Sequence, residues 1–481
     1  MNKTALLAVL PLVFSGASVF AEANEDGAAH LLGVFQTYLG TTEGLVSVVA
    51  DGDAYTVTLD AASLAAMATE AGGSASVSPI VLTLMDNGDG TWGVSQDQAM
   101  SVAFSIPGQM DVKEEIGAIK FEGVFDEAIM SFSSASGEMS NITITQKITD
   151  PSAGEVTVEG AIASGTFEMT GATGATGGVD GTYTMVMSGF TESFMTPAQE
   201  GMPAMPITVV AESIGQTGKM DGMRPDAMYK TLAWFVAHPT TEEKEADKAT
   251  LKTIVQEGIP FFGALTGDMS AQNVTVTTPM GEVGIDEVMV TVDANGIVAD
   301  GKVREAISVS GLTLPAGVVP EWAAPILPQK VSLDFQVTDF DAAAAANVAL
   351  GLFDLPAGTE PDEAFQANLL AALMPNKTVT IGLNPGAVTG DGYELTYEGS
   401  MVAGPEMPVP TGTAVLTLVG IEKLQAALDA APDDIKAQAM MGVGMAQGMA
   451  KTGANGELIW EIDASTPGSL SINGTPMMGG N

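Results

Sequence analysis

The sequence predicts a mainly β protein with a minority of helix. The expected form is long, twisted antiparallel sheets, curved as a half-barrel or sandwich-like, flanked by amphipathic helices. Three observations carry this prediction. Apolar residues alternate at period two through most of the chain, as a strand with two unlike faces requires. The 56 glycines and 25 prolines among 481 residues supply turns at short intervals. The stretches with helical period are few, short and capped.

The chain opens with an export signal. Lys3 supplies a positive start, residues 5–14 an apolar core, and Val19-Phe20-Ala21 and Ala21-Glu22-Ala23 two small-residue cleavage sites. The apolar core is too short to span a bilayer, so residues 1–21 read as a cleavable signal peptide, cut after Ala21 or Ala23. No cysteine follows that would carry a lipid at the cut or form a disulfide. The expected product is a periplasmic protein with no transmembrane span in its mature chain.

The first folded element is a helix over residues 26–39, where Leu31, Val34, Phe35, Tyr38 and Leu39 recur at helical spacing and Gly40 stands at the C-cap. Tyr55, Val57 and Leu59 then alternate with threonines. Asp86-Asn87-Gly88-Asp89-Gly90 offers turn chemistry between residues 80–85 and 91–94, which reads as a hairpin. Ile142/Ile144, Val156/Val158 and Tyr183/Met185/Met187 mark later strands. Residues 171–181, rich in Gly, Thr and Ala, and residues 196–206, with three prolines, read as connections.

Residues 22–224 therefore form an N-terminal β-rich domain, and residues 225–481 a helical pair followed by a C-terminal β-rich domain. The pair comprises residues 226–238, with Met228, Leu232, Phe235 and Val236 on one face, and a helix opened by the capping box Thr240/Glu243 and striped by Leu251, Ile254 and Val255. Beyond it come Val288/Val290/Val292 and a turn at residues 293–296. Val331, Leu333, Phe335 and Val337 alternate strictly with polar residues, predicting one dry and one wet face. An Ala-rich helix over 341–352, strands at Val379/Ile381/Leu383 and Tyr393/Leu395/Tyr397, helices over 421–430 and 433–450, and strands at Leu458/Trp460/Ile462 and Leu470/Ile472 complete the chain.

Charge excludes whole function classes. With 59 acids against 17 bases, a formal −42, the chain repels nucleic acid and anionic membrane surfaces. Such an excess suits solubility in an ion-rich medium. No catalytic motif is present: there is no Gly-x-Ser-x-Gly, no Ser-x-x-Lys and no P-loop, and the glycines Gly442, Gly444 and Gly448 sit inside a helix at the wrong spacing for a dinucleotide. His30 and His238 lie on separate helices and read as structural. The Asp86–Gly90 run lacks the alternating acids of a calcium loop. Among the 28 methionines, Met202/Met205, Met220/Met223 and Met441/Met445/Met449 read as packing, a copper(I) site or an adaptable apolar surface. Lys244, Lys248 and Lys252 form a basic stripe interleaved with acids, expected to be a solvated helix face. No cofactor, metal site or catalytic residue is assigned, and no ligand-binding residue is singled out.

The two ends of the mature chain resemble a known family. His30-Leu-Leu-Gly-Val-Phe-Gln-Thr-Tyr-Leu-Gly40 with residues 46–49 and 55–59, then Gly412-Thr-Ala-Val-Leu-Thr-Leu-Val-Gly-Ile421, the Met-rich helix and Gly468-Ser-Leu-Ser-Ile-Asn-Gly474, are similar to the alphaproteobacterial exported proteins called domain of unknown function 2125. A more distant likeness runs to AsmA-like envelope proteins. The resemblance implies curved β-sheets and an envelope location, with no catalytic residues. The function expected is a non-enzymatic envelope protein that binds a lipid or other hydrophobic molecule in an apolar β-groove, because residues 80–85 and 185–187 are apolar on both strand faces. Two alternatives stay open: a structural or protein-interaction scaffold that contacts envelope proteins without a ligand, and a hydrolase working through paired carboxylates.

Overall fold

Period-two sequence becomes strand over 53% and helix over 23% of the described residues, which in this computed structural model are 23–61, 73–150, 154–175, 177–196, 203–356 and 358–478. The mainly β class read from the sequence is the one observed. Among the described residues, the 21 strands all pair antiparallel, and their ladders stay open rather than closing into a barrel. Residues 1–21, read as a signal peptide, lie outside the described residues.

Two compact units divide the chain, residues 1–206, 216–263 and 350–359 in the first and 207–215, 264–349 and 360–481 in the second. The first unit opens with helix α1 (Glu25–Leu39). Asn24 caps it, its Oδ1 accepting the Gly27 N–H at 2.9 Å, while Glu25 and Asp26 complement the positive helix end. Gly40, at φ +92°, ends it where a side chain would be strained. One face of α1 is apolar, and Leu31 and Phe35 are buried against Tyr55, Val57, Leu84, Trp92 and Phe125.

The strands that follow α1 are β1 (Val46–Asp51), β2 (Ala54–Leu59), β3 (Ser74–Val77), β4 (Ile80–Asp86), β5 (Thr91–Ile106), β6 (Met110–Asp126), β7 (Ser131–Asp150), β8 (Gly154–Thr173) and β9 (Val179–Met195). From β4 to β9 each strand pairs with the next, a meander of hairpins. Its apolar side continues into a second cluster of Met100, Ile116, Ile119 and Ile142. The stretch 171–181, expected as a connection, is largely ladder: Gly171 faces Gly181, Ala172 faces Asp180 and Thr173 faces Val179. Small residues are needed there because a Cβ on Gly171 would lie 2.6 Å from the Phe132 carbonyl oxygen. Strand β10 (Pro206–Met223) pairs with β9 and leads to helices α2 (Pro225–Ala237), α3 (Thr241–Ala246) and α4 (Lys248–Gly258). The capping box at Thr240 and Glu243 forms as expected. The helix it starts breaks at Asp247, whose backbone leaves the helical region at φ −120°, ψ 18°.

In the second unit the ladder runs through β11 (Ala264–Thr278), β12 (Gly281–Asn295), β13 (Gly301–Ser310), β14 (Lys330–Phe340), β15 (Val379–Gly390), β16 (Tyr393–Ala403), β17 (Thr411–Val419) and on to β19 (Leu458–Asp463). Short strands β18 (Lys451–Thr452), β20 (Leu470–Ile472) and β21 (Thr475–Met478) complete it. Residues 293–295, expected to turn, still pair with β11. A register shift in β15 between Leu383 and Gly386 falls at Pro385, which has no N–H to give a ladder. Helices α5 (Ala342–Ala349), α6 (Glu363–Leu373), α7 (Ile421–Asp429) and α8 (Asp433–Met449) accompany the strands. Helices α5 and α6 pack on each other, and the Trp460 indole N–H reaches the Ala446 carbonyl at 2.8 Å, so α8 lies over β19.

Candidate functional site

The register of the second unit collects apolar side chains into straight rows on one side of its sheet. Met269, Val290, Ile307 and Leu333 are successive partners across β11 to β14. On one side lies the row of Ala271, Val288, Val309, Val331, Val388 and Leu395; on the other, beyond the row of Val292, Glu305, Phe335 and Leu383, lies that of Leu265, Ala294, Val303, Val337, Ile381 and Met401. Strand alternation puts all of them on one face. The expected dry face of β14 is not dry: Met269, Val303, Ile307, Leu333 and Phe335 are each 37–49% exposed. The alternation was legible, but among the described residues nothing covers Met269, Val303, Ile307, Leu333 and Phe335 fully. Four strands at about 4.8 Å and six residues at about 3.3 Å span roughly 400 Å², about the size of the largest apolar patch that an ordinary monomer exposes.

One charged side chain interrupts this face. Glu305 stands between Val303 and Ile307 on β13 and faces Val292 and Phe335 across the ladder. It is exposed, and among the described residues no hydrogen bond or ion pair holds it. The basic residues of β13 point the other way. Lys302 binds Asp293 at 2.6 Å, and Arg304 binds Asp334 through Nε at 2.9 Å and Nη2 at 2.6 Å. Asn384 donates a further bond to Asp334 at 2.8 Å. The Arg304 hydrogen bonds hold the Asp334 carboxyl below the usual aspartate range, against the opposing effect of its burial.

The first unit carries a different surface. A depression of about 700 Å³ along β4 to β8 is lined by Asp97, Lys120, Glu122, Glu138 and Glu168 together with Val81, Phe121 and Phe167. In register, Asp97 faces Lys120, which faces Glu138, while Ser136 lies between Glu122 and Glu168. Four carboxylates against one lysine make it anionic, with aromatic and aliphatic side chains between them. Val81, exposed on β4, lines it, while Met85, also exposed, lines another hollow of about 560 Å³ with Val94, Val124, Ala135 and Met169.

The other singled-out residues have structural partners. His238 stacks on Trp234 with ring centroids 4.6 Å apart. Its Nδ1 lies 2.8 Å from the Trp234 carbonyl and its Nε2 3.3 Å from Asp247, so both ring nitrogens are engaged. His30 lies near the Glu127 carboxylate, which accepts the Trp92 indole N–H at 2.7 Å. The lysine stripe is less solvated than expected: Lys248 donates to the Leu355 carbonyl, Lys252 to Asp354, and Lys244 sits 5.7 Å over the Phe235 ring. The Lys248 and Lys252 bonds fasten the 3₁₀ turn Leu350–Asp354 and Leu355 to α4, and Lys244, Lys248 and Phe235 help to frame a cavity of about 320 Å³. In the Asp86–Gly90 turn, Asp86 Oδ1 accepts from Gly88 N–H at 2.7 Å and Asp89 Oδ1 from Thr91 N–H at 3.0 Å. Met202 lies outside the described residues. Met441 and Met445 are 69% and 63% exposed on α8.

Among the described residues no three His, Asp or Glu side chains are grouped to hold a metal ion, and no helix is long and apolar enough to cross a membrane. No protein-family model matches the chain, and no curated protein matches it.

Proposed function

We propose that this chain is an exported, non-enzymatic protein of the bacterial envelope that holds a lipid or similar hydrophobic molecule on the apolar face of β11 to β14. The observation that carries the reading is the group of exposed apolar side chains that strand register puts on one face: Met269, Ile307 and Leu333 in one row, with Phe335 in the next row and Val303 in the one beyond it. Burial of apolar surface is the driving force, and it requires no chemistry from the protein. Each methylene fully covered contributes about 0.8 kcal/mol, so eight methylenes covered on one side contribute roughly 3 kcal/mol. Export through residues 1–21 and a periplasmic location follow from the signal pattern of the sequence. The likeness of both chain ends to the exported family supports the same placement.

Native mass spectrometry of gently purified protein is expected to show a bound hydrophobic molecule, and a neutral dodecyl chain is expected to bind saturably. Phe335→Asp, at an exposed position, should weaken that uptake at least tenfold with the fold intact by circular dichroism. A clean unliganded mass with no saturable uptake would overturn the reading. A scaffold role is favoured for the first unit, whose core under α1 is filled, with Leu31, Val57, Leu84 and Phe125 wholly buried.

A further inference from the structure

We propose that the occupant of the apolar face on β11 to β14 is a cationic amphiphile, an alkyl chain bearing an ammonium or similar positive group, with Glu305 as its counter-ion. This rests on the ligand reading above and adds the charge of the ligand to it. Three observations converge. Glu305 is the one charged residue in the rows that Met269, Phe335 and Met401 define, and it lies near their middle rather than at a rim. The basic side chains of the same strand are turned to the opposite face and already bound by Asp293 and Asp334. Covering Glu305 with an uncharged chain would strip water from a carboxylate without replacing its hydrogen bonds, a cost that grows with burial. An anionic head would add repulsion, both from Glu305 and from a chain at formal −42. An ammonium satisfies the carboxylate, and its chain can then lie along Ile307, Leu333 and Phe335.

The test is calorimetric titration of the full chain with three twelve-carbon probes below their aggregation concentrations: dodecylammonium, dodecanoate and the neutral glycerol monoester of dodecanoic acid. Dodecylammonium is expected to bind roughly two- to fivefold more tightly than the neutral probe, the range of an exposed ion pair, and dodecanoate more weakly. Because any acidic protein attracts cations, the deciding variant is Glu305→Gln, which should erase the ammonium advantage. Glu398→Gln, an exposed acid on the polar face of β16, should preserve it. If the three probes bind alike, or Glu305→Gln keeps the preference, the cationic assignment is overturned while the apolar-face reading stands. If no probe binds, both fall.

Discussion

At the scale of single residues, two carboxylates show how environment sets opposite signs. Asp334 is held by Arg304 and Asn384, which favour its charged form, so its folded pKa lies below the unfolded value of about 3.9. Its contribution to stability is therefore complete above that value and is lost as pH falls through the lowered folded pKa. Glu127 is the reverse. Burial raises its pKa and outweighs the Trp92 hydrogen bond, while Asp86 and Asp126 add repulsion and His30 offsets part of it. Its contribution is present below about pH 4 and is lost as pH rises through the raised folded value. Asp334→Asn is expected to cost about 1–2 kcal/mol at pH 7, with the loss shrinking toward pH 3. Glu127→Gln is expected to be neutral or stabilising at pH 7, because the amide oxygen can still accept the indole N–H, with no difference left near pH 3. Urea titrations of both variants at several pH values, followed by tryptophan fluorescence at sub-micromolar protein, check the two signs. Parallel pH profiles for wild type and variants would contradict the argument.

At the scale of elements, α1 shows where tertiary contact overrides intrinsic preference. Alanine is a better helix former than glycine by about 1 kcal/mol, so Gly27→Ala would strengthen the isolated helix. In the fold a Cβ at that position would press into the Tyr55 hydroxyl and lie 2.8 Å from its ring carbon, and Tyr55 is wholly buried in the core. Overpacking of this kind costs about 1–3 kcal/mol, so Gly27→Ala is expected to lower the melting temperature. A raised melting temperature would show that α1 is not seated as described. This helix was legible in the sequence because Leu31, Phe35 and Gly40 are local signals, as were the capping box at Thr240 and the alternation of Tyr55, Val57 and Leu59. Helix α6 escaped notice although Asp362 stands as an N-cap, accepting the Phe365 N–H at 2.7 Å, because Ala- and Leu-rich residues after it have no clear polar face. The break at Asp247 escaped too, since residues 241–258 have helical composition throughout. The candidate site was half legible. Period two names the residues that share a face, Val331 to Val337 among them, but it cannot say whether another element covers that face. Cover is a long-range property, and only the fold shows Leu333 and Phe335 left open.

At the scale of the whole molecule, the charge excess governs the response to salt. The bases are largely committed to local partners: Lys113 to Glu115, Lys147 to Glu155, Lys377 to Glu406, Lys436 to Asp429 and Lys451 to Glu461, all exposed pairs worth about 0–1 kcal/mol each. That leaves most of 59 acids facing one another through water, with only 17 bases in the chain to meet them. Their mutual repulsion is larger in the compact state than in an expanded one, so it destabilises folding. The screening length falls from about 30 Å at 10 mM salt to about 8 Å at 150 mM, which removes the long-range part of that repulsion first. Thermal melts in sodium chloride are therefore expected to rise steeply between about 10 and 200 mM and flatten above that range. The shape separates screening from the general strengthening of apolar burial by salts, which grows steadily at high concentration. A melting temperature that stays flat below 200 mM and climbs only beyond it would mean that packing, not charge, limits the stability of this protein.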